Sequence, residues 1–128
     1  MSEQENNELI ARFMGWSPDE RYDKVGDYHI WTNPIGKNAI IGCNLNYNND
    51  WNMLMTVINK IETGLDLGFN VVMKNDKCRI YRYKGSAYES QVTKLYEGDN
   101  KFTSTYSAVV EFIKWYNDWA NENQKKNL

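Results

Sequence analysis

Two short runs of strand-forming residues, Phe69 to Met73 and Cys78 to Tyr83, are joined by Lys74-Asn75-Asp76-Lys77. A polar link of that length, with turn-forming residues at its centre, folds such runs back on one another as a hairpin. A third run from about Tyr88 to Tyr96 follows Lys84-Gly85-Ser86, so a three-strand meander is expected. Strands joined this way pair antiparallel, and one face of their sheet has to be covered. The segment after the meander supplies a cover. Thr103 or Ser104 is read as the cap of a long helix reaching about Asn121. Its buried stripe is Tyr106, Val109, Val110, Ile113, Tyr116 and Ala120, with Phe112, Trp115 and Trp119 beside it.

Upstream, a first helix is expected from about Gln4 to Met14, with Leu9, Ile10, Phe13 and Met14 on one face. Gly15 is its natural C-terminal cap, and Trp16 folds back onto that face. Ser17-Pro18-Asp19-Glu20 reads as a turn or one short helical turn. Tyr28 to Thr32 alternates like a strand and stops at the turn signal Asn33-Pro34. Ala39-Ile40-Ile41 is a second short strand, set among Gly36, Gly42 and an asparagine-rich stretch from Asn44 to Asn52. Asn49 or Asp50 then caps a second helix carrying Trp51, Leu54, Met55, Ile58 and Ile61 through to Thr63-Gly64. The fold class is therefore α+β, a layered sandwich in which a mainly antiparallel sheet of three to five strands is packed by two or three amphipathic helices. At 128 residues the chain is expected to form a single domain, 1–128, with an ordered core of about 5–121 and a fraying polar tail, 122–128.

Fifteen Lys+Arg against seventeen Asp+Glu give a net charge of -2, which argues against coating nucleic acid or an anionic membrane by charge alone. No stretch approaches the ~20 apolar residues needed to cross a bilayer. The opening MSEQENNELIARF is acidic and polar where a secretory signal is basic and then apolar, so a cytoplasmic protein is expected. Cys43 and Cys78 are read as two reduced thiols rather than a bridge.

Three signatures point further. Helix one closes with Met14-Gly15-Trp16 after Leu9-Ile10-Ala11. Helix two opens Tyr47-Asn48-Asn49-Asp50-Trp51-Asn52 and continues from Met55 to Ile61. The last helix carries Ser107-Ala108-Val109-Val110-Glu111 near its start. Together these resemble the phage α/β/α-sandwich (ABA sandwich) domain family, small proteins encoded by bacteriophages and prophages, over roughly Glu8 to Trp119. The chain departs from that pattern in its final helix, where Phe112, Trp115, Tyr116 and Trp119 stand in place of an alanine-rich segment. The resemblance implies a mobile-element origin and a compact domain in the bacterial cytoplasm. It carries no established catalytic residues, so no site is transferred.

Chemistry is sparse in the residues themselves. His29 is the only histidine, and with two separated cysteines it does not fill a zinc site without carboxylates. Asn48-Asn49-Asp50 lacks the spaced carboxylates of a calcium loop, and the glycines form no phosphate-binding loop. Neither a cofactor nor a metal is expected. Two surfaces stand out instead. On the final helix, Phe112, Trp115, Tyr116 and Trp119 subtend more than one face; either helix one covers them, or they anchor a protein partner or a second copy of the chain. On the meander, Arg79, Tyr81, Arg82, Tyr83 and Lys84 interleave rings and cations, as in modules that stack bases and hold phosphates. The leading expectation is a non-enzymatic protein acting by protein–protein binding or self-association, with interference in a host process implied by the phage resemblance. A nucleic-acid-binding module is second, and a small hydrolase or ligand-binding protein working through His29 is third.

Overall fold

The computed structural model describes residues 2–33, 38–84 and 88–126, and these hold three helices and two antiparallel sheets, an α+β chain. Pro34, Gly36, Gly85 and Ser86, which belong to expected turns, lie outside the described residues. The chain gathers into two compact units, Met1–Met53 and Leu54–Leu128.

The first unit begins with helix α1 (Glu3–Phe13), capped by the Ser2 hydroxyl, which accepts from the Glu5 amide. Its far end closes as the sequence suggests. The Trp16 amide reaches the Ala11 carbonyl at 2.9 Å and the Gly15 amide reaches Arg12, wrapped around Gly15 at φ 93°. This paired closure needs a left-handed residue, which glycine adopts without a Cβ clash. The buried face differs from expectation. Asn7, Ile10 and Ala11 are buried, while Leu9, Phe13 and Met14 are half-buried. Asn7 turns inward because its amide donates to Asn48 Oδ1 at 2.8 Å, and Asn48 in turn donates to Glu3. The asparagine-rich loop is thereby tied to the helix.

Strands β1 (Ser17–Pro18), β2 (Ile30–Asn33) and β3 (Asn38–Ile41) form a sheet in that order, with Ser17 opposite Thr32 and Trp31 opposite Ile40. Ser17-Pro18 is thus an edge strand, not the expected turn. Proline is tolerated at an edge because its missing donor breaks no ladder bond there. The second strand starts later than expected. Val25 and Tyr28 bridge around Gly26-Asp27, which leaves Tyr28 exposed in a tight loop. Trp31 is the buried anchor of this sheet. The Arg12 guanidinium lies 5.1 Å from its ring centre, and the Asn33 side chain donates to the Met14 carbonyl, so α1 is fastened alongside.

Asp19, just past β1, accepts from the Arg21 side chain at 2.6 Å, from the Arg21 amide and from the Thr32 hydroxyl. The Arg21 guanidinium is the main reason its carboxyl is held well below the usual carboxylate range. A carboxyl depressed in the folded state contributes stability above its unfolded pKa of about 4 and loses it as pH falls below that value. Asp19→Asn should therefore lower the melting temperature at neutral pH and flatten its decline in acid. Melting curves at pH 7 and at low pH check this, and parallel declines in the two proteins would refute it.

Helix α2 (Trp51–Asn59) is capped by Asp50, whose Oδ1 accepts from the Asn52 and Met53 amides at 2.9 and 3.2 Å. Its buried residues are Leu54, Val57 and Ile58, followed by Ile61; Trp51 and Met55, expected in the stripe, are exposed. The helix then widens into a π-turn, Lys60–Gly64, closed by the Leu65 amide on the Lys60 carbonyl. From this turn the Glu62 carboxylate accepts the Val71 amide at 3.1 Å.

The second unit is built on β4 (Phe69–Lys74), β5 (Lys77–Lys84), β6 (Tyr88–Gln91) and β7 (Tyr96–Glu97). The hairpin forms as expected, in the register Val72 to Arg79 and Lys74 to Lys77, with Asn75 left-handed at φ 56°. The third run does not form one strand. β6 and β7 pair in tandem with β5, and between them the Val92 and Thr93 amides both reach the Ile80 carbonyl while the Thr93 hydroxyl accepts the Ile80 amide. One hydroxyl takes a place in the ladder, and the strand breaks there.

Helix α3 (Lys101–Lys126) packs on one face of this sheet. Asn100 caps it by accepting the Thr103 amide at 2.9 Å, so the start lies earlier than the expected Thr103 or Ser104 cap. Ser104 and Thr105 are instead buried, with their hydroxyls donating to the Lys101 carbonyl. The helix also continues to Lys126, past the expected end near Asn121.

Gly68 opens β4 at φ 82°, where an added Cβ would sit 3.0 Å from the Tyr83 carbonyl oxygen. Left-handed strain and a backbone clash then coincide, so Gly68→Ala should cost about 1–2 kcal/mol in urea unfolding. An unchanged midpoint would show that the segment relaxes freely.

Candidate functional site

Alternation along β4 and β5 sorts their side chains onto two faces. Toward α3 point Phe69, Val71, Cys78 and Ile80, all buried. Arg82 shares this face, two residues beyond Ile80. Its guanidinium carbon lies 5.5 Å from the Phe69 ring centre and 5.3 Å from that of Trp119, and its Nε donates to the Leu67 carbonyl at 3.0 Å. Phe69 meets Phe112, Trp115 and Tyr116 edge-on at 4.9, 5.8 and 6.4 Å. Trp115 and Trp119 stack at 5.7 Å.

Phe112, Trp115, Tyr116 and Trp119 of α3 thus pack, wholly or in part, against Phe69 and Arg82 or one another. Phe112 is 0% exposed, a core position with no surface to offer a partner. Trp115, Tyr116 and Trp119 are half-buried. The width of the aromatic sector reflects the ring of Phe69 and the cation of Arg82, which need partners on more than one side.

The opposite face carries Lys74, Lys77, Arg79, Tyr81 and Tyr83, with Val72 and Leu95 on either flank of β5. Val72 is 49% exposed, Tyr83 46% and Leu95 39%. Val72, Lys74, Lys77, Arg79, Tyr81 and Leu95 line an open depression of about 240 Å³. Arg79 Nη1 donates to Tyr81 Oη at 2.9 Å, with the guanidinium carbon 5.7 Å from that ring centre. Lys77 approaches Glu97 at 3.7 Å across the β5–β7 pair. Among the described residues no carboxylate pairs with Lys74 or Arg79.

The five meander residues singled out from sequence are thus divided. Arg79, Tyr81 and Tyr83 share the outer face, Arg82 points the other way, and Lys84 ends β5 with its side chain outside the described residues. Consecutive strand residues do not share a face, so that run was never one surface. The sequence reading missed Val72, Lys74 and Leu95. The hairpin register held the signal for two of them, since pairing Lys74 with Lys77 puts Val72 opposite Arg79.

The remaining candidates fall elsewhere. Both cysteines are free. Cys78 is buried, and burial pushes its thiol up to about 11, far from the thiolate a nucleophile needs at neutral pH. Cys43 is exposed beside Asn44, and His29 uses its carbonyl to accept the Gly42 amide. Among the described residues no group of three His, Cys, Asp or Glu side chains is placed to hold a metal ion, and no helix is long and apolar enough to cross a membrane. The chain matches no family model, no curated protein and no solved structure.

Proposed function

We propose that the protein is a non-enzymatic binding module that docks another protein on the outer face of the β4–β5–β7 sheet. One observation carries the reading: Val72 and Leu95, both exposed, flank Arg79 across β5 and line one depression with Lys74 and Lys77. Apolar surface framed by charge is the composition of a protein contact patch, in which the centre loses water and the rim selects the partner. The resemblance to phage-encoded domains extends the proposal to a partner from a bacterial host, met in the cytoplasm. Base stacking is less well served, because Arg79 already lies against the Tyr81 ring.

A photo-crosslinking residue placed at Leu95 tests this in bacterial lysate, with the exposed Asn117 of α3 as the control position. A discrete protein adduct from Leu95, absent from Asn117 and lost with Val72→Asp, is the expected result. An adduct of twice the chain's mass from purified protein would identify the partner as a second copy. Equal labelling from both positions, or adducts removed by nuclease, would overturn the reading.

A further inference from the structure

Resting on that protein-binding reading, we infer that the depression receives an extended acidic segment, with one apolar side chain seated between Val72 and Leu95 and a carboxylate two positions along. The argument begins with charge. Three cations line the cavity and, among the described residues, only Lys77 has an ion-pair partner, Glu97. Lys74 and Arg79 form no ion pair among the described residues, so a carboxylate brought to this face displaces no partner seen there.

Spacing supplies the second part. Val72 and Arg79 form one paired row, and Lys74 and Lys77 form the next row outward, two residues on. Two strand residues span about 7 Å, which is also the repeat between same-facing side chains of an extended peptide. A segment lying along the strands can therefore place an apolar side chain over the first row and Asp or Glu over the second. The size agrees, since about 240 Å³ holds one large side chain and is smaller than a typical drug-sized ligand pocket. Arg79, in the first row, is turned toward Tyr81 and away from the second, so Lys74 and Lys77 supply the charge that the carboxylate meets.

Selection of a random dodecapeptide display library on the full chain provides the test, followed by fluorescence anisotropy with the enriched peptide. Enriched sequences should carry Leu, Ile or Phe with Asp or Glu two positions away. Lys74→Glu and Val72→Asp alter exposed positions, and melting curves confirm that both variants fold. Each should weaken the peptide about tenfold or more. Raising salt from about 0.05 to about 0.5 M should weaken it further, because exposed charges are screened. Enrichment of neutral or basic peptides that still respond to Val72→Asp would overturn the acidic partner and leave the docking face standing. Failure to enrich any peptide would overturn the inference. Displacement of the peptide by oligothymidylate of equal charge at equal affinity would overturn both the inference and the protein reading.

Discussion

Phe69→Ala should destabilise the Leu54–Leu128 unit by about 3–5 kcal/mol, the range for deleting a large ring from a packed core. Phe69 is 1% exposed and touches Phe112, Trp115 and Tyr116 together. Removing it opens a cavity and also strips three edge-to-face contacts, each worth about 0.5–1.5 kcal/mol beyond burial. Urea unfolding followed by tryptophan fluorescence measures the loss, and near-ultraviolet circular dichroism should fade as Trp115 loses its fixed setting. Phe69→Leu fills part of the space and should cost clearly less. A loss below about 1 kcal/mol for the alanine variant would mean that the aromatic cluster is not the core of this unit.

Arg82→Ala comes next, at about 2–3 kcal/mol, from a cation held between two rings and a charged hydrogen bond to a backbone carbonyl. Arg79→Ala is the informative comparison. It lies on the outer face, where its guanidinium bonds to Tyr81, and should change stability far less. The two substitutions should separate in opposite senses: Arg82→Ala moves the unfolding midpoint, and Arg79→Ala moves binding. Equal effects of both on stability would show that the faces are assigned wrongly.

That pair also shows how much of the candidate site could be read from the residues in order. The hairpin was legible because Asn75-Asp76 leaves two apolar runs one way to meet, and Gly15 was legible because the α1 terminus has a local chemical signature. The outer face was not, because Val71-Val72 is a continuous apolar pair and only the register decides which of them looks outward. The interruption at Thr93 was hidden for a different reason. A hydroxyl standing in for a backbone donor or acceptor is a tertiary event with no periodicity of its own. The buried sector of α2 shifted likewise, since both Trp51 and Val57 suit a helical stripe and long-range packing selects between them. The aromatic run in α3 suggested a surface for others, yet its partners, Phe69 and Arg82, lie more than thirty residues earlier.

The Glu62 carboxylate, reaching from the π-turn to the Val71 amide, has a bearing on solubility. It occupies a donor on the outlying margin of β4, where a bare ladder would invite stray chains to add themselves on. With that donor occupied, one rung of the margin is closed to an incoming strand.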